Sequence, residues 1–403
     1  MKRTFGYITP VRAYSSAGEI YMQAASGRVA EALARQFDKV CLCASVVYEA
    51  PPAPFDSPLD AVNVELIPQP PWRTTAESLS RFWGISRAYI QTCRCSDVLF
   101  VRGMCPYTAV LYLCAAIFRK PICHWIVGDP VTLLRTGKRN SLVFDTLALL
   151  YALQDRLVTR VGRWLTGGAF LCNGKELARA YASPRTTAVV SSTIRDCEFF
   201  PRADTCNGPT VRILFVGFIR PEKGIEYLLD AVSRLRADIP WDLEIVGQRE
   251  FPDYAKKLNA IADERAIRDR VRWRGYLPNG EPLWDRMRVA DLLVLPTLSE
   301  GTPHVLVEAR ANGLPCISTT VGGVPSTVTD GYDAVLVPPK DARALARAIE
   351  RVVGDAELRK KLIRNGLVEA RQQTLERFIS VVLGELTPNA PADTAEALHE
   401  HGQ

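Results

Sequence analysis

Two glutamates, Glu300 and Glu308, are separated by seven residues in the stretch SEGTPHVLVEARANGLP, which covers residues 299–315. Carboxylates are poor ligands for phosphate, but they are strong acceptors for sugar hydroxyls. The free N–H groups at a helix start suit the opposite kind of ligand, an anion such as a diphosphate. The pattern therefore fits a nucleotide sugar, in which a diphosphate joins a ribose to a second sugar.

The residues between the two glutamates carry the signals of a helix start. Thr302 fits an N-cap, Pro303 fits the first helical position, and Gly313 fits a stop. We therefore expect a helix over about residues 303–312. Glu308 would lie about 7–8 Å along the axis from the helix start, and its apolar neighbours predict that it is buried.

A second loop carries two cations beside another predicted helix start. The strand-like run VRILFVG ends at Gly217, and Arg220 and Lys223 follow it before Gly224 opens an amphipathic helix. This arrangement slightly favours an anion site over ordinary surface charges. The chain contains no G-x-G-x-x-G, so the sequence does not support a nicotinamide or flavin site.

Alternating strand-like and helix-like segments must position these loops. Short apolar runs rich in β-branched residues recur along the chain: FGYITP, KVCLCASVV, VNVELIP, DVLFVRG, PICHWIVGD, AFLCNG, TAVVSS, VRILFVG, DLEIVGQ, VRWRGYLP, ADLLVLPT, LPCIST and DAVLVPP. Such runs are typical of strands that are buried on both faces and joined by right-handed βαβ units. We therefore expect an α/β protein with two doubly wound domains and a ligand cleft at the carboxyl ends of their strands.

Composition changes along the chain suggest the domain limits. We place the first domain at residues 1–202, a polar linker at 203–210 and the second domain at 211–374. A final helix, 375–386, is expected to cross back to the first domain. The tail 387–403 is rich in Ala, Pro, Glu and His, and it is expected to be disordered.

Charge and cysteine usage narrow the class of partner and the compartment. The net charge of +6 fits an anionic ligand or membrane face, and it is too small to indicate nucleic acid. The eleven cysteines form no C-x-x-C pair, so we expect no zinc site and mostly buried thiols in a reducing cytosol. His124 lies in an apolar run and is expected to be a core histidine. No secretory signal begins the chain, so a cytoplasmic location is expected.

The segment 136–165 mixes basic residues with many leucines. One interpretation is peripheral contact with a membrane surface, at the inner membrane face. The other is a helix pair with a solvated basic face. The second is favoured about two to one, and both stay open.

Residues 210–353 resemble the C-terminal domain of family 4 of the GT-B glycosyltransferases. The resemblance rests on motifs in the same order: Pro221-Glu222-Lys223-Gly224, Gly275-Tyr276-Leu277-Pro278, Ser299-Glu300-Gly301-Thr302-Pro303, Glu308-Ala309, Gly313-Leu314-Pro315 and Gly322-Gly323-Val324-Pro325. It implies the GT-B fold, with two Rossmann-like domains facing each other across a cleft. It also implies a retaining transferase that moves a sugar from a nucleoside-diphosphate sugar to a glycan, glycolipid or other hydroxyl acceptor, without a metal or other cofactor.

The resemblance also implies roles for individual residues. Glu308 would hold the ribose hydroxyls and Glu300 those of the donor sugar, while Lys223 and Arg220 would stabilise the departing diphosphate. Asp129 is the candidate on the acceptor side. The remaining donor-binding residues would be Gly18, Gly217, Tyr276, Leu277, Gly301, Thr302 and Pro303.

Two positions depart from the family pattern. Phe218 stands where members often carry arginine, and Gly128 stands where they often carry histidine. Arg220 would have to supply the missing charge from a shifted position. The departures support an alternative function, a catalytically weakened nucleotide-sugar-binding partner of another glycosyltransferase.

Overall fold

The computed structural model describes residues 4–72, 75–128, 131 and 142–386. These residues form two compact units. The first unit contains the described chain up to Val189 together with the chain from Glu376 onward, and the second unit is Val190–Leu375.

The first unit is built on a ten-stranded sheet. Its strands are β1 (Thr4–Ile8), β2 (Ala13–Ser16), β3 (Glu19–Met22), β4 (Lys39–Val47), β5 (Ser57–Pro58), β6 (Val64–Gln69), β7 (Val98–Arg102), β8 (Ile122–Ile126), β9 (Ala169–Asn173) and β10 (Thr186–Val189). They are ordered β10-β9-β8-β7-β1-β4-β2-β3-β5, and β6 also pairs with β4. The pairs among β1, β4, β6 and β7–β10 are all parallel.

The second unit is built on a six-stranded parallel sheet. Its strands are β11 (Val211–Val216), β12 (Trp241–Val246), β13 (Val271–Gly275), β14 (Leu292–Leu295), β15 (Cys316–Thr319) and β16 (Val335–Val337). Their order is β13-β12-β11-β14-β15-β16, so the winding direction reverses between β11 and β14. This is the order of a doubly wound sheet.

Helices connect the strands in both units. In the first unit they are α1 (Ala24–Ala34), α2 (Thr75–Leu79), α3 (Phe82–Cys95), α4 (Thr108–Ile117), α5 (Leu142–Thr166) and α6 (Lys175–Ala180). In the second they are α7 (Ile225–Val232), α8 (Pro252–Glu264), α9 (Glu281–Val289), α10 (His304–Ala311), α11 (Val324–Thr327), α12 (Ala342–Gly354) and α13 (Ala356–Arg371). The final helix, α14 (Leu375–Leu386), begins at the boundary between the units.

Every apolar run that the sequence assigned to a strand contains one. Burial explains the pattern: each residue of β8, β9 and β14 is buried, as expected for strands covered on both faces. The sequence missed a hairpin in the first unit, where β2 pairs antiparallel with β3. Gly18 lies in the turn of that hairpin with φ +83°, a conformation that favours glycine.

The unit boundary differs from the predicted one. The polar stretch 203–210 looked like a linker, but it belongs to the second unit, where two of its side chains bond to buried partners. Asp204 forms an ion pair with Arg359 at 2.9 Å, and Thr205 donates a hydrogen bond to Asp291 at 2.8 Å. Residues 190–202 also belong to the second unit. A polar stretch without periodicity therefore serves as packed structure here, because buried partners satisfy its polar groups.

The last helix belongs to the first unit. Phe378 of α14 packs against Trp125 of β8, with ring centroids 4.7 Å apart. The Thr187 hydroxyl of β10 donates to the Glu385 carboxylate of α14 at 2.8 Å. The tail 387–403 and residues 136–141 of the basic segment lie outside the described residues.

His124 is a core histidine, as the sequence predicted, and is only 2% exposed. With Nε2 protonated, the ring donates to the Gly103 carbonyl at 2.7 Å, and Nδ1 accepts from the Tyr112 hydroxyl at 2.9 Å. Burial lowers the pKa of His124 to about 4, so the ring is neutral at pH 7.

Candidate functional site

The candidate site lies where the winding direction of the second sheet reverses, between β11 and β14. Strands β11 and β14 are parallel neighbours there, so their carboxyl ends lie at the same edge. The loop that follows β11 carries Arg220 and Lys223, and the loop that follows β14 carries Glu300. Sheet topology therefore brings together two loops that are far apart in the sequence.

Backbone contacts hold these two loops against each other. The Leu298 N–H donates to the Glu222 carbonyl at 2.8 Å, and the Thr297 hydroxyl donates to the same carbonyl at 3.1 Å. Gly224 has φ +61°, and a Cβ at this position would lie 2.3 Å from the Pro296 carbonyl oxygen. Only glycine fits this close approach without a backbone shift.

Lys223 and Glu300 form an ion pair where the loops meet. Their side chains are 12% and 11% exposed, so both ends are largely removed from solvent. A largely desolvated ammonium can bind a phosphate oxygen, and the carboxylate can accept from sugar hydroxyls. The pair therefore combines the two functional groups that a sugar diphosphate requires.

Arg220, the other cation of the loop, has a different partner. Its guanidinium lies 3.8 Å from the Glu250 carboxylate and 5.3 Å from the centre of the Phe218 ring. Its Nε is buried without a hydrogen-bond partner. In this structure Lys223, and not Arg220, is the cation paired with Glu300.

Two glycines support the loop that carries Glu300. A Cβ on Gly322 would lie 2.0 Å from the Glu300 carbonyl oxygen, and a Cβ on Gly323 would lie 1.8 Å from the Gly301 carbonyl oxygen. The Gly323 N–H also donates to the Glu300 carbonyl at 3.1 Å. These glycines thus position Glu300 by allowing two backbone segments to pack closely.

The helix after Glu300 begins one residue later than the sequence predicted. Pro303 is the N-cap residue, with an extended backbone (ψ 97°), and α10 starts at His304. The prediction of Thr302 as N-cap was wrong, because the extended residue that directly precedes the helix is Pro303. The Thr302 hydroxyl is buried without a hydrogen-bond partner.

Glu308 lies on α10, and the structure confirms its predicted burial, at 5% exposure. Its Oε1 accepts a hydrogen bond from the Asn279 amide at 3.0 Å and another from the Thr193 hydroxyl. A buried carboxylate held by two neutral donors keeps a fixed orientation, because each donor constrains it.

The sequence missed both of these donors, as well as the pair Ser191 and His304, whose side chains are 2.9 Å apart. Asn279 follows directly on the recognised Tyr-Leu-Pro motif, so its position was an available signal. Thr193 and Ser191 gave no such signal, because the sequence placed their segment in the first domain.

The other predicted site residues lie at several places. Gly217 directly follows β11 and has φ +156°. Tyr276 and Leu277 are half-buried residues that directly follow β13. Gly18 is exposed at its hairpin turn in the first unit. Asp129, the acceptor candidate, lies outside the described residues.

The described part of the chain offers neither a cluster of metal ligands nor a helix that could cross a membrane. Within residues 4–72, 75–128, 131 and 142–386 there is no group of three or more His, Cys, Asp or Glu side chains that could hold a metal ion. Among the helices of this same part, none has the length and apolar character needed to cross a membrane.

Comparison with known proteins finds a family model that matches most of the second unit. Residues 198–368 match the family model described as Glycosyl transferases group 1. A D-inositol 3-phosphate glycosyltransferase of Streptomyces bingchenggensis is 34% identical over 204 residues, which are 46% of this chain and 44% of that protein. The chain thus aligns with less than half of the length of this curated relative.

Solved structures extend the likeness to nearly the whole chain. Anabaena Alr3699/HepE in complex with UDP has a TM-score of 0.70 at 15% identity and covers 96% of this chain and 100% of its own. Sucrose-phosphate synthase from Thermosynechococcus elongatus has a TM-score of 0.72 at 18% identity, covering 96% and 98% of the two chains. The chain therefore has the GT-B fold, with two Rossmann-like sheets.

Proposed function

We propose that the protein is a retaining glycosyltransferase that moves a sugar from a nucleoside-diphosphate sugar to a hydroxyl acceptor. The observation that carries the proposal is the Lys223–Glu300 pair at the reversal point of the second sheet. The match of residues 198–368 to group 1 glycosyl transferases supports it. The buried carboxylate of Glu308 on the adjacent helix adds the acceptor that a ribose requires.

Each residue of the site has a proposed role. The Glu308 carboxylate accepts from the ribose hydroxyls, and Tyr276 and Leu277 border the nucleobase. Lys223 turns from Glu300 to the diphosphate when the donor binds, and Glu300 then accepts from hydroxyls of the donor sugar. Binding thus exchanges one ion pair for two charge-assisted interactions, which limits the cost of desolvating either group.

The proposed reaction preserves the anomeric configuration of the sugar. The acceptor oxygen attacks the anomeric carbon on the face from which the diphosphate leaves. The bond between this carbon and the phosphate oxygen breaks, and the acceptor proton passes to the leaving phosphate. Lys223 and the N-terminal end of α10 stabilise the charge that develops on the diphosphate. This reaction uses no metal, so chelation with EDTA should leave the rate unchanged.

The relatives guide which donors and acceptors are tested first. Another structure of Anabaena Alr3699/HepE contains UDP-glucose, so UDP-glucose is the first donor to test. The acceptor is a glycan or a lipid-linked glycan, and the relative named D-inositol 3-phosphate glycosyltransferase makes a phosphorylated polyol a useful addition to the panel.

The test combines binding with turnover. A thermal-shift screen of nucleotide sugars should find a donor that stabilises the protein, since a ligand that binds only the folded state raises its stability. Nucleotide release is then measured for the wild type, for Glu300→Gln and for the control Glu357→Gln, whose carboxylate pairs with Lys360 on the surface of α13.

The proposal expects release by the wild type and the control, and its loss in Glu300→Gln. No stabilisation and no release with any donor would contradict it. Tight donor binding with no release even in the wild type would instead support the alternative, a binding partner that has lost catalysis.

A further inference from the structure

Helix α5 of the first unit presents a row of apolar side chains to solvent. Their spacing of three or four residues places them along one face of the helix. We call this row the apolar stripe; its members and their exposed fractions are Leu150 (58%), Leu153 (44%), Leu157 (62%), Val161 (46%) and Trp164 (73%).

The opposite face of α5 is firmly packed. Thr159 is 1% exposed, and the Thr108 hydroxyl of α4 donates to the Asp155 carboxylate at 2.8 Å. Gly162 lies directly against the ring of Tyr112, where a Cβ would clash at 2.2 Å. Because the buried face holds α5 in place, the apolar stripe is a fixed feature of the surface.

The surroundings of the apolar stripe are basic. Residues 146–186 contain only two acids, Asp155 and Glu176, against six cations: Arg156, Arg160, Arg163, Lys175, Arg179 and Arg185. Arg160 is exposed, and both it and Arg156 donate to the Ala180 carbonyl. A carbonyl leaves the positive charge uncancelled, so the surface keeps an attraction for anions.

A cationic cavity adjoins the end of the apolar stripe. The residues that directly follow Trp164, Leu165 and Thr166, line a cavity of about 410 Å³ together with Arg119, Lys120 and Arg185. Arg185 lies 3.5 Å from the Glu385 carboxylate, which offsets part of this charge. A lipid headgroup phosphate carries the charge opposite to that of the remaining cations, and it fits their position beside the apolar stripe.

We propose that the apolar stripe and the adjoining cations dock the protein on an anionic lipid bilayer, with α5 lying in the plane of the interface. A helix with Leu and Trp on one face and Arg beside it suits this position, because the apolar groups enter the acyl boundary while the arginines meet the headgroups. A second copy would bring an equally basic surface against this one, and the repulsion between like charges opposes dimerisation through this face. The inference does not depend on the transferase activity.

The test is co-sedimentation of the full chain with lipid vesicles. Wild-type protein should sediment with phosphatidylcholine vesicles that contain phosphatidylglycerol, and much less with phosphatidylcholine alone. Leu157→Glu and Trp164→Glu should each reduce sedimentation at least tenfold, to about the level without vesicles. Arg160→Gln should weaken it about fivefold, while Arg160→Lys restores it, because each basic residue near an anionic surface contributes a similar attraction.

The matched control is Trp83→Glu on α3, since Trp83 is also highly exposed (82%) and lies outside the apolar stripe. It should bind vesicles as the wild type does. All variants are compared by circular dichroism and thermal unfolding. Because the substituted positions are exposed, the spectrum and the melting temperature should be unchanged. Absence of binding to anionic vesicles, an equal effect of Trp83→Glu, or a protein dimer that Leu157→Glu dissociates in place of vesicle binding would each overturn the proposal.

Discussion

The two units of this protein share a mostly parallel sheet whose winding direction reverses once. They differ in the contacts of the cation that lies at this reversal. In the first unit the winding reverses between β1 and β7, and Arg102, which ends β7, is buried there. Its guanidinium donates to the Ser26 hydroxyl and lies 5.0 Å from the Trp125 ring centre. In the second unit the cation is Lys223, and its partner is the carboxylate of Glu300.

The difference lies in what each charged side chain contacts. A hydroxyl and a ring hold Arg102 as part of a packed interior. Glu300 and Lys223 instead pair with each other, and a charged or polar ligand can replace either partner. The same backbone topology therefore supports a structural cation in one unit and a candidate site in the other. Four experiments test this difference between the two units.

The largest effect is expected at Glu300. Glu300→Gln removes the charge but nearly keeps the shape, so turnover should fall about 10²–10³-fold, the range seen when one transition-state contact is lost. Nucleotide affinity should be nearly unchanged, because Lys223 stays free to bind the diphosphate. Steady-state release of nucleotide and calorimetric binding of UDP measure the two quantities. A large loss of UDP affinity would contradict the separation of roles.

Acid should affect the first unit first, because of His124. Its pKa is about 4 in the fold against 6.5 for a free side chain, so the unfolded chain binds more protons between these values. Stability from this group is complete above pH 6.5 and is lost as the pH falls towards 4, by about 3 kcal/mol in total.

Amide hydrogen exchange measured at a series of pH values reports the acid sensitivity of each unit separately. Amides of β8 should lose protection on acidification before those of β14. His124→Gln should flatten the pH dependence of β8 protection, since glutamine does not titrate. Equal acid sensitivity of β8 in the wild type and the variant would show that other groups control it.

Glu308→Gln should weaken nucleotide binding more than turnover. A hydrogen bond to a charged group contributes about 1.5–3 kcal/mol, so UDP affinity should fall about tenfold to a hundredfold. The Thr193 and Asn279 donors remain to hold the new side chain in place. Calorimetry with UDP measures the loss, and Glu357→Gln is the matched control. An unchanged affinity would remove Glu308 from the nucleotide site.

The smallest change is one methyl group on Gly323. Gly323 has φ −79°, which alanine adopts easily, so any cost of Gly323→Ala comes from contact with the Gly301 carbonyl. Such overpacking costs about 1–3 kcal/mol and should move Glu300, lowering both the melting temperature and turnover. Gly354→Ala is the matched control, because its Cβ would meet no atom within 4 Å. Equal effects of the two variants would argue against a supporting role for Gly323.

Much of the fold and part of the site follow from local sequence. The strands were predictable because buried parallel strands require continuous apolar runs, and the burial of Glu308 followed from its apolar neighbours on α10. The sequence also named Glu300 and Lys223 as candidates, although the loop pattern favoured an anion site only slightly over ordinary surface charges, and their roles stay predictions.

Tertiary structure decided the contacts that no local pattern encodes. Lys223 and Glu300 are 77 positions apart, and they meet only because β11 and β14 are neighbours in the sheet. Thr193 reaches Glu308 across 115 positions, because residues 190–202 pack with the second unit. The apolar stripe on α5 lies in the segment for which the sequence left two interpretations open, a membrane-surface helix and a helix pair with a solvated basic face. Its exposure follows from which face of the helix packs against α4, and long-range packing alone sets that choice.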